Sequence, residues 1–447
     1  MKGLFSLSER GTNAKIEIIA GFTTFLTMAY IIFVNPSILS LEGIPSESLS
    51  GIERMDKQAL VAVTCLATAI ATLIVGLFAN APIAMAPGMG LNAFFAYLVS
   101  SGQMHWRTAL GAVFLSGLLF FILTVLGLRK RLVAAIPSSL ISAIAVGIGL
   151  FITFIGLKNL GIVIADKNTL VKAAPLNEQI LIGLAGMLVM LLFEMKKITG
   201  GLVAGIFTST IIAVIFNKVQ LPEHFISMHL EIWAVTGRLD IVGALKWGFF
   251  GTIFTLMFMD MFDSIGTLVA CCHKANLVDE KKNIKGLDRL LGIDALATMI
   301  DATLGTSTTT SYVESAAGIE QGGRTGLTAI VTAVFFLLAL LFVPIVAIVP
   351  PYATAPALIM VGLFMAKEIK GIDFSDFEQA FPAFIIIVMI ALSYSISTGL
   401  AFGFISFTII KILSGKVKEI RLMMWIIAGL SVLFLTVNQI IELIKNL

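Results

Sequence analysis

Charge is scarce in this sequence. Asp, Glu, Lys and Arg make up 13% of the 447 residues, against about 25% in a soluble domain, which excludes an ordinary water-soluble fold. The formal net charge of +3 is spread over connecting segments, which excludes an electrostatic surface for nucleic acid. Cysteine is nearly absent: Cys65, Cys271 and Cys272 lie in or at the ends of apolar segments and form no disulfide framework. His105, His224, His229 and His273 sit in or near connectors without an HExxH or CxxC spacing, so neither a metal centre nor a cofactor is expected. Gly88-Met-Gly90-Leu-Asn-Ala93 fits a loose dinucleotide pattern, but it lacks the preceding strand and βαβ unit that give the pattern meaning.

Apolar sequence is abundant, with 58% hydrophobic residues and a mean hydropathy of +1.01. About 20 helical residues cross the hydrocarbon of a bilayer. Apolar runs recur near 16–38, 60–79, 83–99, 109–128, 138–157, 179–193 and 198–216. After a polar, amphipathic stretch at 217–245 come runs near 247–272, 290–304, 310–319, 326–349, 355–366, 380–395 and 398–413. The expected class is an all-α polytopic membrane protein of 14 transmembrane segments. The first run has 23 residues and ends Asn-Pro-Ser, unlike a secretory h-region of about 7–15 residues, so it reads as a retained span.

With the N-terminus inside, 20 of the 30 Lys and Arg residues fall on the cytoplasmic side, as the positive-inside rule asks. These include Lys2, Arg10, Lys15, Arg129, Lys130, Arg131, Lys274, Lys281, Lys282, Lys285 and Arg289. A further apolar stretch at 422–444 would make a fifteenth span and put the C-terminus outside, so a peripheral or re-entrant helix is the alternative there. A repeat is also visible. Ile198–Ile215 (ITGGLVAGIFTSTIIAVI) and Ile396–Leu413 (ISTGLAFGFISFTIIKIL) match without gaps at seven of 18 positions, glycines included. They are the seventh runs of two sets of seven, and an odd number of crossings per set inverts one copy in the membrane. Inverted repeats are common in secondary transporters, whose sites lie near the midplane at discontinuous helices.

Two runs are poor helices. In the third, APGMGLNAFFAY from Ala86, Pro87, Gly88 and Gly90 break the first turn. In the tenth, six Ser and Thr residues fill 306–311, which suits an extended segment, and Glu314 then opens a short helix. Irregular backbone at membrane depth is tolerated only inside protein or beside a cavity, so the two segments point to a shared site where helix N-termini meet. Few acids lie within the runs. Asp260 and Asp263 are about 60° apart on one helical face. Asp294 and Asp301 share a face of the ninth run and read as structural, pairing with hydroxyls or with a basic loop residue. Glu194, beside Lys196 and Lys197, reads as interfacial. Intramembrane carboxylates are expensive and usually mark a substrate or ion path. Such a group accepts hydrogen bonds from ligand N–H donors or holds a proton, and two close together favour sharing one. Asn92, Thr310 and Ser311 add polar capacity. A site of acids without a fixed cation suits a neutral N–H-rich ligand or a cation better than an anion.

The stretches FMDMFDSIGTL (from Phe258), STTTSYVESAAGIEQGGRTG (from Ser307), APGMGLNAFFAY and EIIAGFTTFLTMAYIIFVNP (from Glu17) together resemble the AzgA-like purine permeases. These form a branch of the nucleobase–cation symporter-2 and nucleobase–ascorbate transporter superfamily. The resemblance spans nearly the whole chain. It implies 14 spans in two inverted sevens with core and gate domains, and short strands in the third and tenth spans. The implied division is a cytoplasmic N-terminus at 1–15, core parts at 16–130 and 247–349, gate parts at 131–216 and 350–414, a connector at 217–246, and a C-terminal segment at 415–447. It further implies proton-coupled uptake of hypoxanthine, guanine or adenine across the cytoplasmic membrane by alternating access, with a homodimer paired through the gate domain. Carried over by motif, Asp263 and Glu314 are the acidic substrate contacts and Asn92 a third-span polar contact. Asp260 matches an acidic position of this branch and stands open between proton site and packing. Thr310 and Ser311 complete the candidate binding set, and Glu314, Asp260 and Asp263 are the proton-coupling candidates. An anion transporter of the same fold and a cation-selective channel are the rival readings. An enzyme is not expected, because no nucleophile–base pair is seen.

Overall fold

The computed structural model describes residues 5–42, 44, 49, 51–127, 136–166, 168–222, 224–226, 231–246, 249–277, 286–393 and 395–445. Lys2, Arg129, Lys130, Arg131, His229, Trp247, Lys281, Lys282 and Lys285 lie outside these residues, as does the side chain of His273.

The first half runs α1 (Ala14–Met28), α2 (Ile31–Leu39), α3 (Lys57–Ile74), β1 (Met85–Pro87), α4 (Met89–Ser100), α5 (Trp106–Val125), α6 (Ser138–Leu160), β2 (Val163–Asp166), β3 (Leu170–Ala173), α7 (Glu178–Met195) and α8 (Gly201–Ile215). The second half runs α9 (Ile241–Ala244), α10 (Phe250–Lys274), α11 (Leu287–Leu304), β4 (Thr309–Ser311), α12 (Ser315–Glu320) and α13 (Gly326–Ala339). It continues through α14 (Val343–Ala347), α15 (Pro351–Ala366), α16 (Phe377–Leu392), α17 (Ile396–Leu413) and α18 (Leu422–Lys445). Among the described residues eight helical stretches, some of them successive helices such as Ala14–Leu39, are long and apolar enough to cross a membrane, and five shorter helices are apolar.

Polar residues set where these helices begin. Asn13, Asp56, Asn177 and Ser395 each accept a backbone N–H of the first turn, from Ile16, Ala59, Ile180 and Thr398, satisfying donors that a helix start leaves free. Apolar side chains cover the helix bodies all round, because here the inner faces meet protein and the outer faces meet lipid.

Three expectations are refined. The first run, 16–38, is not one helix. It is broken at Ala29–Tyr30, where Ile32 and Phe33 donate to carbonyls three residues back. Strands occur outside the third and tenth runs as well, since β2 and β3 form an antiparallel hairpin between α6 and α7. The Leu422–Lys445 stretch is a helix packed against α17, with Met424 and Ile427 buried and Leu422 and Trp425 outward.

Contacts sort the helix ends into two sets. At one end Arg10 donates to the carbonyls of Asn80 (2.7 Å) and Arg324 (2.9 Å). Gly326 N donates to Asn80 Oδ1 (2.8 Å), Arg289 donates to the Phe78 carbonyl, and Lys274 pairs with Glu320. At the other end Glu53 pairs with His105 and Arg107. There the connector clasps the core: Thr236 Oγ1 donates to the Leu304 carbonyl, Gly237 N to that of Thr303, and Asp240 N to that of Arg107.

Glu17 on α1, which is fully buried, ties distant elements together. Its carboxylate accepts from Arg324 N (2.9 Å), Thr325 N (3.3 Å), Thr328 N (3.1 Å) and Thr328 Oγ1 (2.5 Å). It thereby caps the start of α13, where a negative charge is favoured. Removing it orphans buried donors. Glu17→Ala is expected to destabilise the protein by about 3 kcal/mol, read as a clear fall in the thermal midpoint in detergent. Glu17→Gln, which keeps one acceptor oxygen, should fall between the two.

Candidate functional site

The two broken segments solve their backbone problem together. β1 and β4 pair antiparallel, Met85 opposite Ser311, Ala86 opposite Thr310 and Pro87 opposite Thr309. Gly88 N continues the pairing to the Thr308 carbonyl (2.9 Å) and Tyr312 N to the Ala84 carbonyl (3.0 Å). Pro87 donates nothing to the ladder, as its ring requires. Each strand leads into a helix, α4 and α12, with Asn92 in the first turn of one and Glu314 at the N-cap of the other. Gly88 is needed by this geometry: a Cβ there would lie 2.8 Å from Thr310 Cγ2 and 2.9 Å from its Oγ1.

Helices α10 and α11 hold the remaining side of β4. Ser264 Oγ accepts from Ser311 N at 3.4 Å. Thr298 Oγ1 is 3.2 Å from both Asp260 Oδ2 and the Thr309 carbonyl. Thr309 Oγ1 donates to Asp301, which is the hydroxyl partnership expected of that acid. Asp260, Asp294 and Asp301 are all fully buried. They form a polar layer behind the strand.

Asp263 and Glu314 differ from these three acids, because both retain partial exposure. The Thr310 hydroxyl donates to Asp263, and Asp263 lies within electrostatic range of Glu314. Tyr30 OH donates to Glu314 Oε1 at 2.6 Å. These partly open acceptors, either side of the strand pair, can receive N–H donors from a ligand.

Of the six residues picked from the sequence, Asp263 and Glu314 are partly exposed and Thr310, itself buried, is bonded to the first of them. Ser311 follows Thr310 in the strand, with its Oγ buried and without a partner among the described residues. Asn92 is buried and paired: its Oδ1 accepts from Ser307 Oγ, across the two halves of the chain, and its Nδ2 has no partner among the described residues. Asp260 faces Thr298.

Sequence reasoning missed Tyr30, Ser307, Thr298 and Asn35. Asn35 is fully buried and donates to Thr64 Oγ1 (2.6 Å) and Thr306 Oγ1 (3.0 Å). A usable signal existed for two of them. Tyr30 and Asn35 are polar groups within an apolar run, and a buried hydroxyl or amide needs a partner.

Comparison with known proteins follows the same lines. The model described as "Permease family" matches residues 15–441. The chain is 41% identical to the guanine/hypoxanthine permease PbuG of Bacillus subtilis (strain 168), over 97% of this chain and 98% of that one. It is 39% identical to the adenine permease AdeQ of Escherichia coli (strain K12), over 96% and 94%. Its fold resembles the transmembrane domain of the cyanobacterial bicarbonate transporter BicA, at a TM-score of 0.61 and 15% identity, over 85% of this chain and 96% of that one. The chain belongs to the Permease family of the nucleobase–ascorbate transporter superfamily, and is a multi-pass membrane protein of a permease lineage rather than an enzyme.

Proposed function

We propose that this protein is a secondary transporter that imports purine nucleobases with a proton across the cytoplasmic membrane. The observation that carries the reading is the pair of partly open carboxylates, Asp263 and Glu314, set beside the β1–β4 pair. A planar purine offers ring and exocyclic N–H donors to such acceptors, and two nearby acids favour retention of one proton between them. Relatives named for adenine and for guanine/hypoxanthine, similar over nearly the whole chain, support the substrate class.

In this reading the chain crosses the membrane fourteen times as two inverted sevens, with β1–α4 and β4–α12 as matched half-crossings and the N-terminus cytoplasmic. The core (16–130 and 247–349) carries the site and moves against the gate (131–216 and 350–414). Packing supports that division. Helix α6 lies along α15 and α16, α7 along α8, and α16 along α17, while α1, α3, α5, α10, α11 and α13 pack among themselves. The gate also forms the face for a homodimer.

Asp263 and Glu314 accept the base's N–H groups, and Thr310 orients Asp263. With one proton already retained between the two acids, the transported proton neutralises the remaining carboxylate on loading, so the loaded core crosses without an unpaired charge, whose exposure to lipid is costly. Asp260, in the buried layer, is the reserve proton holder in this scheme.

Two outcomes test the reading. Glu314→Gln should abolish saturable uptake of labelled hypoxanthine, guanine and adenine while leaving the protein in the membrane, and an uncoupler should collapse accumulation by the wild type. Normal uptake by the variant, or accumulation indifferent to the uncoupler, would sink the proposal, and uptake that never exceeds the external concentration would indicate a channel. A separate steric test uses Gly88→Ala, which pushes Thr310 off Asp263. Its KM for the base should rise roughly tenfold, equivalent to about 1.4 kcal/mol, with surface level unchanged.

A further inference from the structure

We propose that Tyr30 is a positioning residue for Glu314, occupying one carboxylate oxygen so that the other is presented to the base. The inference rests on the reading of Glu314 as a base contact.

Tyr30 occupies the break between α1 and α2, its ring 1% exposed, and its hydroxyl donates to Glu314 Oε1 at 2.6 Å. That length is typical of a charge-assisted O–H···O bond. Thr27, three residues earlier, donates chiefly to the Thr24 carbonyl of its own helix (2.9 Å) and lies 3.4 Å from the Glu314 carbonyl. Glu314 stands at the N-cap of α12, and among the described residues its side chain makes no capping bond to that helix; the carboxylate's one local contact is with its own backbone N–H. Nor is the nearby Tyr312 its partner, because that hydroxyl donates to the Pro87 carbonyl at 2.6 Å.

The reach of Tyr30 depends on how closely α1 and α12 approach. Gly318 of α12 lies so near α1 that a Cβ would sit 2.1 Å from Thr24 Oγ1 and 2.5 Å from the Ala20 carbonyl. The first helix therefore delivers a buried donor to a side chain of the second half of the chain.

The consequence is preorganisation. A glutamate has three rotatable side-chain bonds, and ordering them at the moment of binding costs affinity. Tyr30 meets that requirement before the ligand arrives, since its buried hydroxyl holds Oε1 while Glu314 as a residue stays partly exposed. Its effect should fall on ligand affinity and leave the translocation rate largely alone.

Tyr30→Phe keeps the ring and removes the donor. Initial-rate uptake of a labelled purine, normalised to protein in the membrane, should show KM raised about tenfold and Vmax within about twofold. In a Glu314→Asp background the shorter carboxylate no longer reaches the hydroxyl, and the same Tyr30→Phe change should alter KM less than about twofold, as a pairwise coupling requires. An unchanged KM in the single variant, or an equal change in both backgrounds, would overturn the positioning role. Should Tyr30→Phe fail to reach the membrane, 3,5-difluorotyrosine at position 30 retains ring and hydroxyl but alters donor strength. A KM shift of about threefold or more supports the role, and none overturns it. Absence of purine uptake by the wild type would overturn the transport reading and this inference with it, whereas wild-type transport with an indifferent Tyr30→Phe removes only this inference.

Discussion

Backbone polarity inside a membrane is the constraint on which the structure depends. A peptide N–H or C=O left unpaired at membrane depth costs several kcal/mol, so a chain that interrupts its helices there must find partners. Residues 85–87 and 309–311 find each other. Neither segment has enough residues to stand as a sheet alone, and neither can be satisfied by its own helix. Their mutual pairing joins two parts of the chain more than 200 residues apart and fixes both helix starts, α4 and α12, beside one place. The polar site follows from this pairing.

The acids are then ranked by depth. Asp260 and Asp263 lie three residues apart on α10, yet the first is fully buried and the second partly open. Behind the strand, Asp260, Thr298, the Thr309 carbonyl and Asp301 exchange hydrogen bonds that hold β4 in place. In front, Thr310 and Tyr30 each take hold of one acid and leave it partly exposed. Alternation along the strand produces the division. Thr309 looks back to α11 and Thr310 forward to Asp263, as successive strand residues must.

Much of this could be read from the sequence, for identifiable reasons. Long apolar runs marked the long helices because hydrocarbon thickness sets their length. Pro87 and Gly88, and the Ser/Thr run at 306–311, marked the breaks because such residues defeat a helix locally, whereas Gly90 lies within α4. Asp263 and Glu314 stood out because acids are rare in apolar runs. The pairing register did not stand out, since three-residue strands carry no periodicity and their partners are remote. The Asn92–Ser307 bond was invisible for the same reason, so Asn92 could be marked as polar but not as paired. The β2–β3 hairpin was hidden because its strands are exposed and short, without the apolar alternation that reveals a half-buried strand. Tyr30 was overlooked because an aromatic ring blends into an apolar run, although its hydroxyl demands a partner.

The strand pairing also limits how the site can open. Separating α4 from α12 would break the β1–β4 ladder and strip Asn92 of Ser307, leaving backbone and amide groups unpaired where no water replaces them. The bonds from Thr298, Asp301 and Ser264 tie β4 to α10 and α11 in the same way. These elements therefore form one body on energetic grounds. The neighbours that meet this body without such bonds are the better candidates for movement. Helix α4 meets α6 through Gly90 and Ile148, a contact of apolar groups, and α2 meets α15 in the same region of the fold. Apolar surfaces can slide past each other without orphaning a polar group, so in the proposed transport cycle the α4–α6 and α2–α15 seams are where movement would cost least.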